Sequence, residues 1–160
     1  MHLTLHADYS LRVLLYLAVH DDRLVSTAEI SDAYGISKNH LVRVVQALGR
    51  HGYIEVKAGR SGGLSLARHP SQIRIGEVVR RTEPHLDLVE CFNPATNTCP
   101  ILPACALKHA LWEARDAFLA VLERLSLEDV VRQSDSGIKD YFLTKPLVRG
   151  LRKVEQKPSL

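Results

Sequence analysis

The order of signals between residues 26 and 67 restricts the fold more than any other part of the chain. Ser26 and Thr27 offer a helix N-cap, Glu29 stands three residues after Ser26 as a capping-box partner, and Ile30 and Ala33 supply a short buried stripe before Gly35. Ser37 caps a second segment in which Leu41, Val44, Val45 and Leu48 recur at helical spacing, and Gly52 closes it. Two short helices joined by a glycine-containing turn make a helix-turn-helix. Residues 53–57 (YIEVK) and 64–67 (LSLA) alternate as strands do, and between them lies the basic, glycine-rich tip AGRSGG. The predicted fold class is mainly α with a small β-hairpin wing: a winged helix-turn-helix plus a long dimerisation helix.

A winged helix-turn-helix reads duplex DNA with the N-terminal side chains of its second helix, while the wing reaches phosphate or the minor groove. Lys38 and Arg43 suit guanine or phosphate, Asn39 suits bidentate contact with adenine, and His40 is either a base reader or an ordinary surface residue. At the wing tip, Arg60, Ser61, Gly62 and Gly63 are the expected DNA contacts, the two glycines through positive φ and close backbone approach. Charge agrees with this assignment. The net charge is only +3, yet residues 38–69 carry six Lys or Arg against the single acid Glu55, whereas residues 1–37 carry two bases and five acids. No G-x-x-x-x-G-K-[ST] phosphate loop accompanies the glycines.

The second constraint is chemical. The only three cysteines, Cys91, Cys99 and Cys105, fall within 15 residues as C-x7-C-x5-C, punctuated by Pro94, Pro100 and Pro103. A disulfide framework uses thiols in pairs, whereas a metal site can take three thiolates and a different fourth ligand. His109, one helical turn after Cys105, offers such a ligand, and three cysteines with one histidine would suit zinc. Asp8 also stands near the start of a helix, where an acid is favoured by the dipole in any case. A Cys-His nucleophile finds no acid-base constellation around it, so an enzyme is not expected.

The apolar run at residues 13–19 (VLLYLAV) is too short for a membrane span, is preceded by Asp8 and is followed by no cleavage pattern; it is expected to be a buried helix in a cytoplasmic protein with reduced thiols. Residues 71–83 read as a linking helix with Ile73, Ile75, Val78 and Val79 as its apolar positions. Beyond the cysteines, Leu107, Leu111, Ala114, Phe118, Val121 and Leu125 follow a heptad seam, expected to pair two copies of the chain into a homodimer. Leu127, Val130 and Val131 mark a further short helix after Ser126. The expected organisation is a DNA-binding domain over 1–83, a cysteine loop over 84–105, a dimerisation region over 106–133, and a mobile basic tail over 134–160 that adds nonspecific hold on DNA.

Taken together, LHADYSLRVLLYLA, ISKNHLVRVVQAL, GRSGGLSLAR, IRIGEVVR and CPILPACALKHAL resemble the Rrf-type iron-sulfur winged-helix regulators over roughly residues 1–133. The resemblance implies a homodimeric repressor on a two-fold operator, relieved by nitric oxide and controlling nitric-oxide detoxification genes. It implies that Cys91, Cys99 and Cys105 anchor an iron-sulfur cluster of the [4Fe-4S] type, with Asp8 from the partner subunit as fourth ligand. Some members of the family use a histidine three residues after the third cysteine; Lys108 occupies that position here. A [2Fe-2S] sensor of iron-sulfur status or redox, a Cys91–Cys99 thiol switch and a zinc-stabilised DNA-binding protein are the alternatives.

Overall fold

A computed structural model of the 160-residue chain describes residues 2–59, 61–133 and 137–144. Helix α1 (Leu5–Val19) begins where the Thr4 hydroxyl accepts the Ala7 amide, and its run 13–19 is the buried helix expected. Val13, Leu14 and Leu17 are 0–1% exposed, and each such burial contributes about 1.5–3 kcal/mol. Around α1 pack the recognition helix, the linking helix and the helix after the heptad seam, so one core serves them all. No helix among the described residues is long and apolar enough to cross a membrane.

Helices α2 (Thr27–Tyr34) and α3 (Lys38–Arg50) form the helix-turn-helix, with Ser26 and Ser37 as N-caps. Gly35 ends α2 at φ 66°, the left-handed conformation that lets the chain reverse into Ile36 and Ser37. The capping box is only half formed. Ser26 accepts the Glu29 amide, but the Glu29 carboxylate turns away to take hydrogen bonds from the Tyr16 hydroxyl (2.9 Å) and the Arg23 guanidinium (3.1 Å). The Arg23 bond, more than any other contact, holds the Glu29 carboxyl below its ordinary range.

Strands β1 (Ile54–Lys57) and β2 (Gly63–Leu66) pair antiparallel from Ile54 opposite Leu66 to Lys57 opposite Gly63. Val25, before α2, adds one rung to this wing by exchanging backbone hydrogen bonds with Leu64 at 2.8 and 3.0 Å. Arg68 does not join the basic tip: its guanidinium donates to the carbonyls of Gly52 (2.9 Å) and His51 (3.1 Å) and lies over the Tyr53 ring.

The linking helix is shorter than expected. Pro70–Gln72 form a 3-10 turn, and Ile73 and Arg74 are extended because Arg74 bridges to Ser126, flanked by the Ile73 carbonyl accepting the Leu127 amide and the Ile75 amide donating to the Leu125 carbonyl, so α4 runs from Ile75 to Thr82. Helix α5 (Ala106–Glu123) lies against α4 so closely that a Cβ on Gly76 would sit 2.4 Å from Glu123 Cγ and 2.8 Å from its backbone nitrogen. Leu119 is buried and Leu122 and Leu125 pack on the core, so the inward stripe of α5 differs from the heptad seam. Leu107, Ala114 and Val121 of that seam are exposed, Leu111 and Phe118 are half-buried, and Leu125 belongs to the chain's own core. Helix α6 (Leu127–Gln133) starts in a reciprocal box between Ser126 and Asp129 and places Leu127 in the same core.

Part of the span expected to be a mobile tail is helical. Helix α7 (Gly137–Thr144) lays Phe142 against Tyr16 and Tyr34, with ring centroids 5.0 and 5.4 Å apart. The cations of that expected tail from Lys145 onward fall outside the described residues.

Two helical glycines, Gly76 and Gly49, should respond oppositely to the same substitution. Gly76→Ala is expected to cost about 1–3 kcal/mol, because α5 must shift. Gly49→Ala in α3, where the added Cβ meets nothing, is expected to stabilise by about 0.5–1 kcal/mol. Urea denaturation of both variants decides it, and equal effects would refute the α4–α5 contact.

Candidate nucleic-acid interface and metal centre

The outward face of α3 follows from its buried one. Leu41, Val44, Val45 and Leu48 point into the core, and helical periodicity then leaves Lys38, Asn39, His40 and Arg43 exposed at the N-terminal end. His40 is not an isolated surface residue: its ring lies 6.1 Å from that of Tyr9 on α1. Ser61 is exposed at the wing tip, while Arg60 lies outside the described residues.

The wing glycines act differently from the expectation. Positive φ falls on Gly59 (110°), not on Gly62 or Gly63. A Cβ on Gly62 would sit 2.1 Å from the Lys57 carbonyl oxygen, so glycine there closes the tip. A Cβ on Gly63 would meet the Leu24 side chain and the Val25 carbonyl oxygen, both at 3.0 Å, so glycine there admits the extra rung. Both are required by the hairpin itself.

The cysteine loop is held by contacts that periodicity does not signal. The Glu90 carboxylate accepts the Thr98 amide (2.8 Å) and hydroxyl (2.9 Å), drawing together the neighbours of Cys91 and Cys99. The Thr98 amide first, and its hydroxyl second, keep the Glu90 carboxyl below its usual range. Phe92, beside Cys91, packs edge-on against Trp112 of α5 (5.8 Å) and under the Arg115 guanidinium (5.1 Å). His109 stands perpendicular to the same Trp112 ring, also at 5.8 Å, with Lys108 above it. Cys105 is the N-cap residue of α5, and no side chain caps that helix.

All three thiols are free and half-buried. The donor set fits an iron-sulfur cluster or another soft metal: three free sulfur ligands, of which Cys105 stands at an uncapped helix N-terminus whose amides favour a net negative group. Convergence is a separate matter. Among the described residues, no three His, Cys, Asp or Glu side chains of one chain meet as a metal site. Asp8 is engaged within α1, where Arg12 bridges its carboxylate at 2.8 and 3.0 Å. That i,i+4 pair is about two-fifths exposed at each end (42% and 38%), so it is worth only about 0.3–0.5 kcal/mol. The Arg12 guanidinium also lies over Tyr9 and Tyr34, at 6.0 and 5.8 Å.

Trp112, the single tryptophan, reports on this loop. Phe92→Ala is expected to red-shift its emission and raise its quenching by iodide with little change in melting temperature. An unchanged spectrum would mean that the Cys91 turn does not rest on α5.

Comparison with known proteins agrees with this geometry. The Rrf2 family model, described as an iron-dependent transcriptional regulator, matches residues 3–133. The chain is 52% identical over 136 residues to the HTH-type transcriptional regulator NsrR of Shouchella clausii, covering 84% of this chain and 91% of that one. It is 47% identical over 140 residues to the regulator of the same name from Bacillus subtilis, covering 87% and 96%. Among solved structures, the global cysteine regulator CymR of B. subtilis superposes with a TM-score of 0.69 at 24% identity, covering 84% of this chain and 99% of that one. IscR of T. potens gives 0.67 at 22%, covering 85% and 90%, and both likenesses show the winged-helix fold. These relatives are regulators rather than enzymes, and the chain belongs to the Rrf2 family of transcriptional regulators.

Proposed function

We propose that the chain is a homodimeric, iron-sulfur-dependent repressor that releases operator DNA on exposure to nitric oxide and so controls nitric-oxide detoxification genes. The observation that carries this reading is three free, half-buried thiols in the loop that leads into α5, in a regulator about half identical to NsrR proteins. Cys91, Cys99 and Cys105 would hold a [4Fe-4S] cluster, and Asp8 of the partner subunit would supply the fourth ligand. The chemistry such a group supplies when bound is an iron atom that a small neutral diatomic can ligate. A carboxylate oxygen is a harder donor than thiolate, so Asp8 would hold that iron less firmly than the cysteines would.

What the protein contributes is the path from Asp8 to the DNA. Asp8 pairs with Arg12 in this structure; Arg12 lies over Tyr9, and the Tyr9 ring stands beside His40 in the first turn of α3. Helix α1 also packs against α3, so the helix that carries Asp8 and the helix that would face DNA are in direct contact. Two copies meet along the seam of Leu107, Leu111, Ala114, Phe118 and Val121, and their separation sets the half-site spacing. Lys38, Asn39, His40 and Arg43 enter the major groove, while Arg60, Ser61, Gly62 and Gly63 bring the wing to the backbone.

Oxygen-free protein titrated with nitric oxide on duplex operator DNA is expected to lose about a hundredfold in affinity, a differential of about 2.7 kcal/mol. Unchanged binding sinks the reading, as does colourless, zinc-containing material after anaerobic reconstitution with iron and sulfide. Serine at Cys91, Cys99 or Cys105 should abolish the response. Lys38→Ala and Arg43→Ala should each weaken binding to every sequence and lower the slope of log affinity against log salt by about one; an unaltered slope would remove that residue from the interface.

A further inference from the structure

Helix α3 carries six apolar side chains, and five of them have a folding role. Leu41, Val44, Val45, Ala47 and Leu48 are at most 8% exposed, whereas Val42 is 46% exposed. A β-branched residue at an exposed helical position loses rotamer freedom and buries little, so neither helix propensity nor the core accounts for a valine there. Its neighbours give it a different setting. Asn39, three residues earlier, and Gln46, four later, flank it on the same face, Arg43 follows it, and all three are exposed.

We propose that Val42 is a specificity-determining residue that packs its methyl groups on the C5-methyl of one thymine in each half-site. This rests on the DNA-binding reading of α3. The thymine methyl is the one apolar mark in the major groove, and an aliphatic side chain recognises it by excluding water. Val42 is the exposed large apolar side chain of this helix, set in a row of amides and a cation that suit the polar edges on either side. It discriminates thymine from cytosine at that position by an apolar contact rather than by a hydrogen bond.

The test works whatever the operator sequence is. Duplexes are first selected from a random-sequence library with the full-length, cluster-loaded protein, and each thymine is then replaced singly by deoxyuridine, which removes only the methyl group. Wild-type protein is expected to bind about fourfold more weakly at one thymine per half-site, the value of burying one methyl-sized group. Val42→Ala should lose about fourfold on the thymine duplex and show no preference between thymine and uracil at that position. Unchanged melting temperature confirms that the variant is folded, and Val42→Thr, which keeps one methyl, should retain part of the preference. Wild-type indifference to every thymine replacement, or an undiminished preference in Val42→Ala, overturns the proposal while leaving DNA binding intact. Failure to select any duplex refutes the DNA-binding reading, and the proposal falls with it.

Discussion

Burial of one side of α1 organises everything else. Val13, Leu14 and Leu17 are withdrawn from water only because α3, α4 and α6 close over them together, so loosening any one of these contacts exposes surface shared by the others. The opposite side of the helix is polar: Asp8, Tyr9 and Arg12 are half-buried there, and the Tyr9 ring stands beside His40 in the first turn of α3. A single helix therefore supplies the hydrophobic core with one face and the polar link to the recognition helix with the other.

Much of the helix-turn-helix is legible in the sequence because its determinants are local. A serine before each helix, a glycine in the turn and an apolar stripe at helical spacing act over four or five residues, and the structure uses Ser26, Ser37 and Gly35 in those roles. Local chemistry misplaces one feature of the wing. Sequence assigns positive φ to Gly62 and Gly63, but it falls on Gly59, while those two glycines make room for the hairpin's own carbonyls, the Leu24 side chain and the Val25 backbone. Nothing near Val25 in the sequence marks it as a partner of Leu64, since a single backbone rung leaves no periodic trace.

The heptad seam shows a different limit. Leu107, Leu111, Ala114, Phe118 and Val121 are visible as a repeat, but so densely apolar a helix also carries Leu119 and Leu122, and periodicity alone cannot say which stripe faces home. The structure assigns Leu119 and Leu122 to the chain's own core and leaves most of the seam uncovered. For α7 the sequence does hold a signal within the span expected to be a tail: Ile138, Tyr141 and Phe142 fall at i, i+3 and i+4, and Phe142 packs against Tyr16 and Tyr34. The Glu90–Thr98 clamp leaves no signal, because hydrogen bonds across a proline-punctuated loop obey no repeat.

The energies decide which contact can act as the switch in the proposed mechanism. A hundredfold change in DNA affinity requires about 2.7 kcal/mol of difference between two states, while the Asp8–Arg12 pair, half in solvent, supplies at most about 0.5 kcal/mol. Arg12 therefore cannot hold the recognition helix in either state by itself; it offers Asp8 a resting place. In the proposed mechanism the larger free energy comes from the bond between Asp8 and the partner's site and from the pairing of two copies along the exposed seam. In that reading sensing is a property of the pair. A weak intramolecular alternative for Asp8 is what such a device needs, because a strong one would compete with the metal and leave the site unfilled.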